Sequence, residues 1–477
     1  MRSRVPSGKR TARPLSVACL LGQPYKGVLQ ILQVGMAVLA VLLMQACSGN
    51  SEESPLASPV QSPLAPTAPA TAGNNPGEQL ESSALVEVAS GRKLSLDAPL
   101  VYASFAGDGS LLVYDTARRN PSAGLFTVAL DDPNLPRTPL THGTIPAVNY
   151  DGSFIAFYRE RPGDPNRADL TVREARGTEV VLQPSGTLAA WSPDGRWLAF
   201  NQVFDASTPE RIFFVFDAET GTTREVDRLV FEGGGDFRVP SEWSATSDYF
   251  RHYGGRAASP LRDHEAVEVT SHAWWVANTN VRMALVTDGS YFGPVRLHTQ
   301  NLDSGVTTEL PLGDGLTGAG QGNSPFSPDG RSFALVSNLA IPGIAAGTRI
   351  LNLQGQQIAK VAGEFEAWSA SGEFLMVRGA NACPGLTIFR ISDWQTIHCL
   401  RDQQGASVQA EFSPQGAQLV YLQPQPRTSP GQPVVKNVVS ILDLASGQEQ
   451  MIGEYVGCVQ WSPDGRWLVA STICEGP

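Results

Sequence analysis

One stretch constrains this chain more than any other, because it recurs. Trp191-Ser192-Pro193-Asp194-Gly195-Arg196-Trp197-Leu198-Ala199-Phe200 returns almost unchanged at 461–470 (WSPDGRWLVA) and again at 326–335 (FSPDGRSFAL). Looser copies start at Phe105, Val148, Trp368 and Phe412. Ser-Pro-Asp-Gly encodes a tight turn: the serine hydroxyl bonds nearby backbone, proline presets φ, and glycine accepts a left-handed conformation. Four or five strand-forming residues follow, and a large aromatic residue precedes. A unit of this size cannot bury its apolar face alone and has to stack on copies of itself.

Each copy has a second half. Arg211-Ile212-Phe213-Phe214-Val215-Phe216-Asp217 runs into Ala218-Glu219-Thr220-Gly221 and a polar strand, and 439–447 repeats that shape. One repeat therefore reads as four antiparallel strands, which is a propeller blade. The anchors at 105, 148, 191, 243, 275, 326, 368, 412 and 461 are 32 to 52 residues apart, against about 40–45 for WD40-like blades. The turns after Trp243 and Trp275 have lost their Pro-Asp-Gly signature, and only position recommends them. The expectation is an all-β propeller of about eight four-stranded blades, within a range of seven to nine.

Leu85 to Leu96 matches the second half of a blade, and 461–472 matches a first half. The expectation is that the two pair and close the ring, removing exposed sheet edges. The aromatic-Ser-Pro-Asp-Gly units resemble the WD40-like propeller repeats of the TolB type, over about 390 residues of repeat array. The motif residues Trp191, Asp194, Gly195, Phe326, Asp329, Gly330, Trp461, Asp464 and Gly465 are read as structural parts of the repeat. Propellers of this kind commonly serve as protein-interaction platforms, so the resemblance implies a binding role. In prolyl oligopeptidase relatives a hydrolase domain follows the propeller. This chain stops inside a blade, so no such domain is expected.

Residues 1–46 carry Arg2, Arg4, Lys9, Arg10, Arg13 and Lys26, no acid, and an apolar run at 34–44. This is the pattern of a signal peptide. Cys47, directly after Ala46, looks like the acylated cysteine of a bacterial lipoprotein. An uncleaved anchor is the alternative, although 28–44 is short of the ~20 residues a spanning helix needs. Residues 47–83 are rich in Ser, Pro and Ala, too polar to bury a core, and read as an extended tether. Residues 84–477 form the propeller.

The net charge of −11 becomes −17 without residues 1–46, which hold six basic residues. An acidic surface argues against nucleic acid as a partner. Beyond Cys19 and Cys47, the cysteines are Cys383, Cys399, Cys458 and Cys474. An even number in an exported domain suggests disulfides. Of three possible pairings, Cys383 with Cys399 and Cys458 with Cys474 each lie within one blade, and free buried thiols are the alternative.

His252, His264 and His272 gather with Asp248, Asp263 and Glu265, but at no recognised ligand spacing, and read as loop residues. Gly313-Asp314-Gly315-Leu316-Thr317-Gly318 fits a dinucleotide-binding pattern, yet glycines and a blade strand follow where a helix is required. No nucleophile elbow and no zinc-protease motif occur. No catalytic residue, metal site or cofactor is expected. The function read from the sequence is a lipid-anchored, extracytoplasmic, monomeric binding platform with a protein partner in the cell envelope. The alternative is an enzyme of lyase, lactonase or glycosidase type, with carboxylates and histidines converging on the channel mouth from several blades.

Overall fold

Strand-forming residues on both sides of each turn pair as the repeat demands. The computed structural model describes residues 83–471, apart from 97–99, 117–123, 162, 176, 185, 204–209, 231–241, 253–255, 262–266, 269–272, 277–278, 288–294, 314–315, 318–323, 338–346, 381–382, 404–406, 426–436 and 456–457. The described residues form nine antiparallel sheets of four strands. Blades 1 to 8 occupy 103–142, 144–184, 186–230, 242–268, 273–313, 316–361, 364–401 and 409–455. Blade 9 draws on both ends of this span. Its strands Cys458–Trp461 and Trp467–Ser471 pair on to Ser83–Glu87 and then Lys93–Ser95. The register joins Ser83 to Ser471 and Glu87 to Trp467.

Nine blades correct the central expectation of eight. The two weak anchors are real: Trp243 ends the strand Glu242–Trp243, and Trp275 ends Ala273–Trp275. Blade 4 keeps the path of the turn without its sequence. Ser247 takes φ 62°, where Gly195 has φ 75°. Ser247 N still donates to Ser244 O at 3.0 Å, as Gly195 N does to Ser192 O at 2.8 Å. A left-handed non-glycine residue costs about 1–2 kcal/mol, so backbone geometry persisted where the sequence signal faded.

The turn chemistry is visible in blades 3, 6 and 9, where Ser192, Ser327 and Ser462 each donate to the aspartate two residues on. Ser327 Oγ donates to Asp329 Oδ1 at 2.6 Å, Arg331 N donates to the same oxygen at 3.0 Å, and Ser332 N donates to Ser327 Oγ at 3.0 Å. Ser462, Asp464, Arg466 and Trp467 repeat this at 2.6, 3.0 and 2.8 Å. Neighbouring turns also touch. Asp108 N donates to Tyr150 O at 2.9 Å, and Asp194 N to Ser247 Oγ at 3.1 Å. A Cβ added at Gly109 would meet Asp464 Cγ at 2.3 Å, so a side chain in blade 1 would strike the turn of blade 9.

Between the sheets lie nine apolar clusters among the described residues, and each joins successive blades. Trp197, Phe213 and Val215 of blade 3 meet Trp243 and Phe250 of blade 4. Val420 and Ile441 of blade 8 meet Trp461, Leu468 and Val86 of blade 9. Leu85 and Trp467 of blade 9 meet Leu112 and Tyr114 of blade 1. The circuit of contacts is thus complete. Its smallest link, Tyr249, Ala257 and Leu302 with Trp275, lies between blades 4 and 5.

Burial alone would raise the carboxyls of Asp329 and Asp464. The hydroxyls of Ser327 and Ser462 and the backbone N–H groups of Arg331 and Arg466 outweigh it, and both end below the ordinary value of 3.8. Their folded values are depressed, so their contribution is full above that value and lost as pH falls through the folded ones. Asp329→Asn combined with Asp464→Asn should lower stability at pH 7. In urea titrations the gap to the unaltered protein should narrow as pH drops below 3.8. A gap that stays constant down to acid unfolding would contradict this.

Candidate functional site

The first strands of blades 1 to 4 stand where those blades converge. Ala103–Phe105 abuts Thr144–Val148, which abuts Gly186–Trp191, which abuts Glu242–Trp243. The fourth strands face water, as the exposure of Arg137–His142 and Gln357–Val361 shows. The first strands therefore form the inner wall of the ring, and the side chains on that wall are the candidate site.

The aromatic anchors do more than fill the core. Trp191 Nε1 donates to Ala147 O at 3.0 Å, Trp243 Nε1 to Ala190 O at 2.9 Å, and Trp368 Nε1 to Pro325 O at 2.8 Å. Each acceptor directly precedes the anchor of the preceding blade. An indole N–H therefore pins one inner strand to the next. Trp275 and Trp461 hold the same place in the repeat, but their buried Nε1 atoms have no hydrogen-bond partner. In both cases the residue offering the matching carbonyl is a glutamate, Glu242 or Glu411.

Charged side chains on the wall come mostly in pairs. Glu242 and Arg251 are cross-strand neighbours, with Arg251 Nη2 at 3.1 Å from Glu242 Oε2. Burial holds the Glu242 carboxyl above its ordinary range, although Arg251 and Arg282 pull it down. Arg282, 1% exposed, lies 4.9 Å from the Trp275 ring centre. Burial, with the like charge of Arg251, pushes its guanidinium down to about 10. In blade 7 Arg378 pairs with Glu366, and its Nη2 donates to Val408 O at 3.0 Å, across to blade 8.

Glu411 differs. Its cross-strand neighbour is Val420, not an arginine. Its side chain reaches solvent, yet the crowded wall strips enough hydration to raise its carboxyl. At the other end of the inner strands, the fully buried Asp115 accepts from Thr144 Oγ1 at 2.6 Å, Ile145 N at 2.9 Å and Tyr102 N at 3.2 Å. It holds Ile145 at φ 52°, an uncommon conformation for a β-branched residue. The sequence reading passed over both acids, since neither sits in a motif.

The motif residues Trp191, Asp194, Gly195, Phe326, Asp329, Gly330, Trp461, Asp464 and Gly465 are spread over blades 3, 6 and 9 and meet at no single point. A disulfide joins Cys383 to Cys399, with Cα atoms 5.8 Å apart. Cys47, Cys474, His264, His272, Asp263, Glu265 and the side chains of Cys458 and His252 lie outside the described residues. Asp248 accepts from Asn280 Nδ2 at 2.9 Å. Within the glycine-rich pattern, Leu316–Thr317 is a strand. Among the described residues no group of three or more His, Cys, Asp or Glu could hold a metal ion, and no helix is long and apolar enough to cross a membrane.

By its own sheets the protein is an all-β propeller of nine four-stranded blades. No family model matches the chain, and no match is found among curated proteins. Among solved structures it is similar to a eukaryotic initiation factor at 13% identity, covering 83% of this chain and 100% of that one, with a TM-score of 0.46. It is similar to dipeptidyl peptidase 4 of Porphyromonas gingivalis at 14% identity and a TM-score of 0.42, covering 74% of this chain and 52% of that one. A putative TolB of Agrobacterium tumefaciens matches at 13% identity, over 82% of this chain and 96% of that one, with a TM-score of 0.27.

Trp368→Phe removes an indole hydrogen bond to Pro325, whereas Trp461→Phe removes an N–H that had no partner. Both lose similar ring area. Chemical denaturation should therefore show Trp368→Phe costing about 1 kcal/mol more than Trp461→Phe. Equal costs would mean that the indole bonds do not hold the inner wall.

Proposed function

We propose that this chain is a lipid-anchored, extracytoplasmic binding platform without catalytic activity of its own, which presents the inner wall of its propeller to a protein or small ligand of the cell envelope. The carrying observation is the pairing of charge on that wall. Glu242 and Glu366 are each held by a guanidinium from the adjacent strand. Such pairs fix polar groups for recognition and withdraw them from use as bases or nucleophiles. The signal-peptide pattern at 1–46, Cys47 and the proline-rich tether support the anchor. The Cys383–Cys399 disulfide supports an oxidising compartment.

The enzyme reading needs several carboxylates or histidines converging on one point. Among the described residues of the inner wall, Glu242 and Glu366 are held in ion pairs, and the acids outside such pairs, Glu364 and Glu411, stand on separate blades, which favours recognition over acid–base chemistry.

Cys47→Ser should move the protein from the membrane fraction to the soluble fraction. Capture from solubilised envelopes should return one reproducible protein partner. That partner should be lost when the exposed wall residues Gln409 and Gln460 are both replaced by lysine. Membrane retention of Cys47→Ser would contradict the anchor. Recovery of a bound metal ion in place of a protein would favour the enzyme.

A further inference from the structure

The repeat makes its own exceptions conspicuous. Across the inner strands, three of the five tryptophan anchors place the indole N–H on the carbonyl one residue before the preceding anchor, at 2.8 to 3.0 Å, and Trp275 and Trp461 do not. In blade 9 that indole belongs to Trp461, which is 5% exposed, and its N–H has no partner. In blade 8 the residue one before the anchor Phe412 is Glu411, and its cross-strand neighbour Val420 packs in one apolar cluster with Trp461. A buried donor left unsatisfied costs about 1–3 kcal/mol, which a ligand oxygen could recover.

The second exception is Glu411 itself. Glu242 and Glu366 each have an arginine on the neighbouring strand, whereas Glu411 faces Val420. Its carboxylate is reachable from solvent, and desolvation disfavours its charge. The cation that balances the other two acids is missing from the wall at this point. The acidic protein as a whole draws cations toward it.

We propose that the inner wall at the seam of blades 8 and 9 binds a primary ammonium group that carries a neighbouring oxygen, the ammonium pairing with Glu411 and the oxygen accepting from Trp461 Nε1. Gln460, exposed one residue before Trp461, lies beside this position and can donate or accept. Amino sugars and peptide N-termini share this chemistry. The inference deepens the platform reading and rests on it, since it assumes that the wall is where ligands are met.

Calorimetric titration of the full chain with glucosamine and with triglycine tests it. At least one probe should bind. Glu411→Gln should weaken that probe at least about tenfold, and Glu411→Asp should restore most of the loss. Glu309→Gln, which removes an equal charge from the outer strand Thr307–Gly313, should change binding less than about twofold. A nitrogen-edited spectrum should show one indole N–H signal, absent in Trp461→Phe, shifting as the probe saturates. Glucosamine binding would point to a sugar amine, and triglycine binding to a peptide terminus. No binding of either probe below about 1 mM, or equal losses in Glu411→Gln and Glu309→Gln, would overturn the proposal. The titration uses purified protein, so its failure would leave the envelope capture result standing, and a failed capture would leave the titration standing.

Discussion

A four-stranded sheet with two apolar faces cannot rest in water by itself. Each blade here buries one face against the blade before it and the other against the blade after it. The rest of the structure follows from that constraint, because a row of such blades always leaves two raw faces unless its ends meet. They meet in blade 9, where Ser83–Glu87 pairs with Trp467–Ser471. Leu85 and Trp467 then pack against blade 1, while Val86 and Leu468 pack against blade 8. Pairing the two chain ends also covers the backbone edges that Ser83–Glu87 and Trp467–Ser471 would otherwise leave open to other chains.

Much of this was legible in the residues. Ser-Pro-Asp-Gly after an aromatic is a local rule, and local rules survive in a sequence because neighbouring residues enforce them. All nine anchor positions lie where a first strand ends or bridges to the second. The blade count, nine within an expected seven to nine, was blurred where backbone geometry outlived its sequence signature. Ser247 adopts the conformation that glycine would take more cheaply, and Val276 bonds Val281 across a turn with no Pro-Asp-Gly at all. Among the described residues the seam between these two blades has the smallest apolar cluster, and charged side chains stand beside it.

The inner wall was not legible, for a different reason. Its properties arise from pairings across strands and between blades, which sequence spacing does not encode. Glu411 reads as one exposed acid among many until Val420 is found opposite it, where Glu242 has Arg251. Trp461 reads as a core aromatic until its indole is compared with those of Trp191, Trp243 and Trp368. A repeated architecture supplies its own controls: the indoles of blades 3, 4 and 7 show what this position does when it serves the fold alone. Departures from that pattern are where recognition is best sought.

Hydrogen exchange of the backbone amides in Ser83–Glu87 measures ring closure directly. Closure predicts that these amides exchange as slowly as those of Trp467–Ser471, and that both segments open together when denaturant is added. Fast exchange in Ser83–Glu87 alongside continued protection of Trp467–Ser471 would show that the two ends do not hold one another, and the account of a closed ring would be wrong.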